Sequence, residues 1–453
     1  MTPDHPAAPS YDSLPKPIPR AVRAGGNERT TFDVRIEVVT PILGGAPIPR
    51  TIDEIDVVRA ATVRGHLRFW WRALNAHTFS NPQELYRKES ALWGRAAQEG
   101  GGRSAVDLRI EIEHAANIDD SGIRLYRSRE GEATPGAYAL WPAREERRRN
   151  LRTAPRRAPG TRFLMTLAAP SDEIQEVKNA VRAWVLFGGY GSRARRGLGS
   201  LQVLDRPNGW LPTQATRQQL TALFGRDAFA APARSSNDLP VLAGAALHVG
   251  TSNPDAQAAW TTALDWLKEF RQGYNGGSGN RAREPGTGKP QPNRPSISNW
   301  PEADKIRHLA SKTIAHRPRY NVTPAWPRAG FGLPINGQFQ TEARSGGLYD
   351  EPAPFELRWR APNENADRDR LASPLIVKAM PLANGTFVPI ALWFNRAYPQ
   401  GEVVLHGVAR SAAPFDRLMA PSETSRFSAL TGKSSLREAF LDWLRPKTTV
   451  VVP

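Results

Sequence analysis

The sequence predicts an α+β protein whose first half follows the ferredoxin-like order of elements. Segments that alternate apolar and polar residues, typical of half-buried strands, flank and separate two segments with helical periodicity. Their order is strand, helix, strand, strand, helix, strand, the βαββαβ order of ferredoxin-like and RRM-like folds. The 453 residues suffice for two or three domains at roughly 150 residues each.

The first unit is predicted to span residues 30–210, after a proline-rich tail at 1–29. Such a composition is typical of an extended segment. A basic insertion at about 114–160 carries a run of arginines that is expected to be a solvated loop. These arginines are Arg144, Arg147, Arg148, Arg149, Arg152, Arg156 and Arg157. The predicted elements are strands at 32–38, 106–113, 162–168 and 201–204, and helices at about 57–75 and 174–187.

The second half, residues 211–453, fits another unit of the same kind that is heavily interrupted. The segment 273–301 is rich in Gly, Pro, Asn and Arg, so it buries too little apolar surface to offset the entropy of ordering. It is expected to be a mobile basic loop. The other predictions are helices at 260–270 and, closing the chain, 436–444, and strands at 355–359, 375–380 and 387–394.

The most informative segment is the glycine-rich loop at 189–199, Gly-Tyr-Gly-Ser-Arg-Ala-Arg-Arg-Gly-Leu-Gly. Glycine permits backbone angles that other residues avoid and lets another backbone approach closely. Arginine offers a planar fork of donors that fits phosphate oxygens. The sequence therefore predicts that loop amides and arginines hold a polyanion. The predicted contact residues are Gly189, Gly191, Ser192, Arg193, Arg195, Arg196, Gly197 and Gly199.

Two nucleotide-binding motifs match this chain only in part. The loop contains a Gly-x-Gly-x-x-Ala string, but it follows a helix and precedes a strand, the reverse of a dinucleotide site. Gly432-Lys433-Ser434 has the ending of a phosphate-binding P-loop, but Phe427 stands where the leading glycine belongs. A nucleotide-binding enzyme remains an alternative.

The first helix carries an apolar face beside a basic stripe. Val63, Leu67, Trp70 and Leu74 share one face at helical spacing, and Trp70 and Trp71 are expected in the core. Few acidic residues lie at helical spacing from the stripe, so contact with RNA or a partner subunit is favoured over ordinary ion pairs. The stripe consists of Arg64, Arg68 and Arg72.

Three strings together resemble a known family. The first string is Arg-Gly-His-Leu-Arg-Phe-Trp-Trp-Arg-Ala-Leu at 64–74. The second is the loop, which has a Gly-hydrophobic-Gly triplet at each end. In the third, Phe-Gly-Leu-Pro-Ile at 331–335 precedes Leu-Ala-Ser-Pro-Leu at 371–375. The loop is similar to that of the RAMP superfamily, the ferredoxin-like RNA-binding proteins of CRISPR systems. The whole set resembles the first, two-RAMP-domain subunit of the type III-B effector, the Cmr complex.

The resemblance implies two RAMP domains with long insertions and a role in a ribonucleoprotein of antiviral defence. It implies a subunit that caps the 3′ end region of the CRISPR RNA and contacts the guide–target RNA and neighbouring RAMP subunits. The stripe and loop residues are then the expected RNA contacts. The protein would read shape and charge, and base pairing would read sequence.

Composition agrees with a nucleic-acid partner. The formal net charge is +17 and the sequence pI is about 10.5, which favours binding to polyanions. There is no cysteine, which excludes disulfides, thiolate metal sites and a cysteine nucleophile. No apolar span or secretory signal is recognisable, so a cytoplasmic protein without membrane contact is expected.

The sequence predicts no enzyme activity, no metal and no cofactor. No His or carboxylate cluster has the spacing of metal ligands. Some RAMP relatives cleave RNA without metal through a histidine that acts as general acid–base, and His66 lies between Arg64 and Arg68. A metal-independent CRISPR RNA-processing endoribonuclease is therefore a second alternative, although a lone histidine is far more often a bystander.

Overall fold

The computed structural model contains eight helices and fifteen strands among the residues that it describes. These residues are 28–95, 101–125, 131–146, 150–233, 239–272, 300, 302–312, 320–337, 339, 352–364, 366–368, 370–408, 411–414, 417–419, 423 and 428–453. The helices are α1 (Ala60–Asn75), α2 (Pro82–Trp93), α3 (Ala137–Leu140), α4 (Ile174–Phe187), α5 (Arg217–Phe224), α6 (Ala256–Gln272), α7 (Glu302–Leu309) and α8 (Leu436–Leu444).

The strands form four antiparallel sheets, which together with the helices confirm the α+β class. The strands are β1 (Arg29–Val38), β2 (Ile42–Leu43), β3 (Asp107–His114), β4 (Ile118–Asp119), β5 (Arg156–Arg157), β6 (Thr161–Pro170), β7 (Leu201–Val203), β8 (Val241–Val249), β9 (Ile335–Gly337), β10 (Phe355–Arg360), β11 (Leu375–Pro381), β12 (Phe387–Asn395), β13 (Glu402–His406), β14 (Ser411–Pro414) and β15 (Thr449–Val452).

The two main sheets repeat one arrangement. The first has the order β3-β6-β1-β7, with α1 and α4 in its two crossovers. The second has the order β11-β12-β8-β15, with α6 and α8 in the corresponding places. The expectation that the helix at 436–444 closes the chain is wrong, because β15 follows it and pairs with β8. A third sheet, β14-β13-β10-β9, is built from the segments that interrupt the second unit.

The helices α1 and α4 lie between the two main sheets. One core contains Val34 and Phe163 of the first sheet, Trp184 of α4, and Ile376 and Met380 of β11. The other face of β11 packs in a second core against α6 and α8. Strands buried on both faces have nearly continuous apolar sequences, as β11 and β12 do. The layers are therefore sheet, helices, sheet, helices.

One polar side chain interrupts the apolar sequence of β11. Lys378 is fully buried, and its Nζ donates to the carbonyl oxygens of Val185 and Gly188, at 2.8 Å each. The last carbonyls of a helix have no partner within the helix. Lys378 supplies one from the neighbouring unit and so fixes the end of α4 against the second sheet. Burial holds the pKa of Lys378 well below its usual value.

Replacement of Lys378 by methionine is expected to remove a pH-dependent part of the stability. Lysine titrates near 10.5 when it is unfolded, and the folded pKa is lower, so between the two values the unfolded chain binds the extra proton. The stability of the native protein relative to Lys378→Met should rise with pH toward 10.5, by at most about 1.4 kcal/mol per pH unit. Urea denaturation at a series of pH values measures this difference; parallel pH profiles would contradict it.

Candidate nucleic-acid interface at the glycine-rich loop

The glycine-rich loop is fixed on both sides by backbone hydrogen bonds. Tyr190 N–H donates to Gly199 O at 2.9 Å, Gly199 N–H to Pro41 O at 2.9 Å, and Ser192 N–H to Leu43 O at 2.7 Å. The amides of Arg196 and Gly197 also donate to carbonyls inside the loop. Many of the amides are therefore already engaged, and the loop presents its side chains on a fixed frame.

Glycine is required where the loop crosses itself. Gly199 has φ +64°, and a Cβ there would lie 1.8 Å from Tyr190 O. Gly197 has φ +77°, and a Cβ there would lie 2.4 Å from the Trp260 ring. Both glycines are buried. They shape the loop from the inside, and the structure places them away from the solvent in which RNA would lie.

Arg196 links the two units of the chain. It is buried, its Nη1 donates to Leu375 O at 2.9 Å, and its Nη2 donates to Phe331 O at 3.2 Å. Its own carbonyl accepts from Trp260 Nε1 at 2.7 Å. Burial, together with repulsion from Arg271, lowers the pKa of Arg196 to about 9. This arginine, predicted as an RNA contact, has a structural position in the free chain.

Arg195 and Arg193 lie nearer to the surface. Arg195 is half-buried, donates through Nη1 to Ser373 O, and lies over the Phe69 ring at 5.7 Å. Burial and the neighbouring Arg396 lower its pKa to about 10. Arg193 and Ser192 are exposed at the tip of the loop. Among the loop residues predicted to contact RNA, Ser192 and Arg193 are therefore the most accessible.

Five arginines from both units come together at this junction. Burial is the main cause of the lowered pKa values of the loop arginines, and repulsion from neighbouring arginines contributes. In the part of the chain that the structure describes, no carboxylate forms an ion pair with a loop arginine. The cluster consists of Arg193, Arg195 and Arg196 of the loop, Arg271 of α6, and Arg396 after β12. We call this set the junction cluster; the positive charge of its loop arginines, which have no described ion pair, favours an anionic partner.

The basic stripe of α1 has an acidic partner that local spacing did not reveal. Glu89 of α2 is buried, and its Oε1 accepts from Arg68 Nε at 2.8 Å and from Arg72 Nη1 at 2.5 Å. Two of the three stripe arginines therefore form ion pairs, the alternative that the sequence had left less favoured. Arg64 forms no ion pair with any described residue and is half-buried.

His66 lies inside the protein beside the loop. Its ring stacks on Trp184 at 5.9 Å between centroids and meets the edge of Tyr190 at 6.1 Å. Burial lowers the pKa of His66 to about 4, so the ring is neutral near pH 7. Its Nε2 has no hydrogen-bond partner among the described residues. No titratable group among the described residues is therefore hydrogen-bonded to His66 Nε2.

The open face of the first sheet carries charges of both signs and no Phe, Tyr or Trp ring. Sheets of this topology that bind RNA do so by stacking bases on aromatic side chains. Here the open positions of β1, β3, β6 and β7 are linked by ion pairs. These pairs are Arg35–Glu113 at 2.7 Å, Arg35–Asp205 at 2.5 Å, Arg109–Glu111 at 3.3 Å and Arg162–Glu37 at 3.8 Å. This face offers no stacking platform.

The basic insertion is more ordered than expected. Arg156 and Arg157 form β5 between β2 and β4, and both are buried. Arg156 pairs with Asp119 at 2.6 Å, and Arg157 donates to Ala116 O at 2.7 Å. The prediction of a solvated loop is therefore wrong for these two arginines.

Other predictions fall wholly or partly outside the described residues. The tail up to residue 27, the arginines at 147–149 and the loop at 273–299 are not described. Trp300, at the end of that loop, is buried and donates to Phe270 O at 2.7 Å. Among the described residues, no group of three His, Cys, Asp or Glu side chains is placed to hold a metal ion. No helix in the same residues is long and apolar enough to cross a membrane.

Alanine at Gly199 is expected to destabilise the fold far more than alanine at Gly225. Both glycines have positive φ, +64° and +71°, so each substitution forces an alanine into the left-handed region at about 1–2 kcal/mol. Only Gly199 adds a collision with backbone, because nothing lies within 4 Å of a Cβ at Gly225. Thermal unfolding of both variants measures the difference; equal losses would show that the loop crossing is not tightly packed.

The chain has been compared with known proteins. Residues 35–202 match the family model of the RAMP superfamily. No curated protein matches the chain. A similar solved structure is the apo crystal structure of Cmr1 from Pyrococcus furiosus, with 15% identity, 83% of this chain and 90% of that chain covered, and a TM-score of 0.47.

Two cryo-EM structures are also similar. One is a type III-B Cmr-beta bound to cognate target RNA and AMPPnP in the presence of ssDNA, with 11% identity, 81% of this chain and 95% of that chain covered, and a TM-score of 0.41. The other is Cmr-beta bound to cognate target RNA, with 11% identity, 81% and 96% covered, and a TM-score of 0.40. The tryptophan–arginine string of α1 and the glycine-rich loop both lie within 35–202, and the resemblance to the RAMP superfamily is confirmed for that segment.

Proposed function

We propose that the chain is a non-catalytic RNA-binding subunit of a type III-B CRISPR ribonucleoprotein. The observation that carries this proposal is the junction cluster, in which arginines from both units meet and no described carboxylate forms an ion pair with the loop arginines. The cluster lies at the glycine-rich loop of the segment that matches the RAMP superfamily. The net charge of +17 extends the attraction for RNA beyond this site.

The architecture supports two ferredoxin-like RAMP domains. When the four strands of each main sheet are numbered along the chain, their order across the sheet is second, third, first, fourth. In each unit the two helices occupy the first and third connections. The long insertions then correspond to the segment before β6 in the first unit and to the third sheet in the second. The partners proposed by resemblance are the CRISPR RNA, the target RNA and neighbouring RAMP subunits, in the cytoplasm.

RNA would be held through its backbone at the exposed tip of the loop. Ser192 and Arg193 are the exposed residues there, and the charge of Arg195 and Arg271 lies behind them. Contacts of this kind position a strand without reading its sequence. Recognition of the target would be left to base pairing with the guide, and the subunit would cap the 3′ end region of the CRISPR RNA.

The geometry also supports a non-catalytic role. General acid–base cleavage of RNA needs groups that accept and donate protons near neutral pH. His66 has a pKa of about 4, and its buried Nε2 has no hydrogen-bond partner among the described residues. Near neutral pH it therefore lacks the proton that a general acid must supply.

Replacement of Arg193 by alanine is expected to weaken RNA binding regardless of RNA sequence. Loss of one phosphate contact should make the slope of log affinity against log salt shallower by about 0.7 on single-stranded RNA. Fluorescence anisotropy with two unrelated RNA sequences over a salt series measures both quantities.

The matched control is Arg109→Ala on the open sheet face, where the side chain is 77% exposed beside Glu111. It should leave affinity and slope nearly unchanged. A loss of the same size in both variants would mean that net charge alone, and not the loop, accounts for binding. Arg196→Ala cannot serve here, because its buried guanidinium holds backbone carbonyls.

The purified chain is expected to leave RNA intact. Single-stranded and hairpin RNA should survive incubation both with divalent metal and with chelator, because His66 is neutral and isolated. His66→Ala should give the same result as the native chain on a denaturing gel. A specific product that disappears in His66→Ala would establish the endoribonuclease alternative instead.

A further inference from the structure

A cleft of about 480 Å³ lies between α1 and the chain that follows α2. It is separate from the junction cluster: Arg64 and Arg68 of α1 line the cleft, whereas Phe69, about 100° further around the helix, faces Arg195. The opposite wall carries Arg95 and Arg103. We call this cleft the α1–α2 cleft.

The charges that line the α1–α2 cleft are mostly positive. Four arginines face one described carboxylate, that of Asp107. Asp107 already accepts from Arg29 at 3.0 Å and from Arg103 at 3.3 Å, on separate oxygens. Arg68 is paired with Glu89, which lies behind the wall. The free charge of the cleft therefore comes mainly from Arg64 and Arg95.

The far wall of the cleft is rigid. Arg95 N–H donates to Gly102 O at 3.0 Å, and Ser104 Oγ donates to Val106 O at 2.8 Å. Gly94 ends α2 with φ +83°, and a Cβ there would lie 2.9 Å from both Gly102 O and Ser104 N. These contacts fix the backbone from which Arg95 and Arg103 extend against the end of α2.

Two donors at the cleft lack an acceptor. Arg64 Nε and Trp93 Nε1 are both buried, and neither has a hydrogen-bond partner among the described residues. A buried donor without a partner costs about 1–3 kcal/mol, so such groups usually have a ligand or water to satisfy them. The missing partner is an acceptor, and the surrounding arginines favour an anionic one.

We propose that the α1–α2 cleft binds a backbone phosphate of a single-stranded segment of RNA, with Arg64 as its principal contact. This inference rests on the proposed RNA-binding function and assigns a second contact point to it. Arginine guanidinium groups match phosphate oxygens in a planar, two-pronged geometry. The volume is that of a site for one nucleotide or another small ligand. The cleft offers donors but no disengaged carboxylate to read a base, which favours an RNA backbone over a free nucleotide.

The test is RNA affinity over a salt series for the full chain and three variants. Arg64→Ala should raise the Kd severalfold and make the salt slope shallower by about 0.7 on an oligouridylate. The double variant Arg95→Ala/Arg103→Ala changes the opposite, exposed wall and should act in the same direction; it keeps the test valid if Arg64→Ala fails to fold. Arg109→Ala is the control for charge alone and should bind like the native chain.

A photo-crosslink locates the contact independently. RNA that contains 4-thiouridine should crosslink to peptides from α1 or from residues 93–104, and Arg64→Ala should reduce that crosslink while the loop peptide remains. If Arg64→Ala leaves RNA affinity, salt slope and crosslinks unchanged while Arg193→Ala still weakens RNA binding, the cleft proposal is wrong and the proposed function stands. Failure of the native chain to bind RNA would overturn both.

Uridine 5′-monophosphate tests whether the cleft binds the phosphate of a free mononucleotide instead of that of an RNA strand. Suppose that this mononucleotide binds saturably and that Arg64→Ala abolishes its binding without changing RNA affinity. The cleft is then a mononucleotide site, and the proposal is wrong. Competition by the mononucleotide only at concentrations far above the Kd for RNA supports the assignment to an RNA strand.

Discussion

Two buried basic side chains, each of which donates hydrogen bonds from one unit to the backbone of the other, hold the structure together. Lys378 of β11 donates to the carbonyls of Val185 and Gly188 at the end of α4. Arg196 of the loop donates in return to the carbonyls of Leu375 and Phe331. A basic side chain at a helix C-terminus donates to carbonyls that have no partner in the helix. Because the exchange runs in both directions, each unit completes the other.

This exchange explains why glycine and arginine occur together in the loop. The glycines let the loop cross itself within contact distance of the Tyr190 backbone, and the arginines extend from it to carbonyls of the second unit. Carbonyls satisfy the donors of Arg196 without cancelling its charge. With Arg271 and Arg396 nearby and no described carboxylate paired to the loop, the same residues that join the units leave positive charge at the junction. A phosphate backbone is a partner that suits such a surface.

Local periodicity in the sequence predicts helices and strands, but it does not predict contacts between residues that are far apart in the chain. The helices α1 and α4 and the strand order of the first half could be predicted because apolar spacing specifies them. The partner of Arg68 and Arg72 is 17 to 21 residues away on another helix, beyond any local pattern. The burial of Arg196 could not be anticipated, since arginine is rarely buried and its acceptors lie 135 and 179 residues further along. The strand β15 has four residues, and its partner β8 lies about two hundred positions earlier.

The distribution of charge restricts where RNA can lie on the first unit. Its open sheet face pairs Glu37, Glu111 and Glu113 with arginines and has no Phe, Tyr or Trp ring on which a base could stack. The loop arginines and Arg64 have no described ion pair, and they lie at the junction cluster and in the α1–α2 cleft. A sheet of this composition is poorly suited to read bases. Recognition through the backbone, at points set by α1 and the loop at the end of α4, is the mode that this arrangement of charges permits.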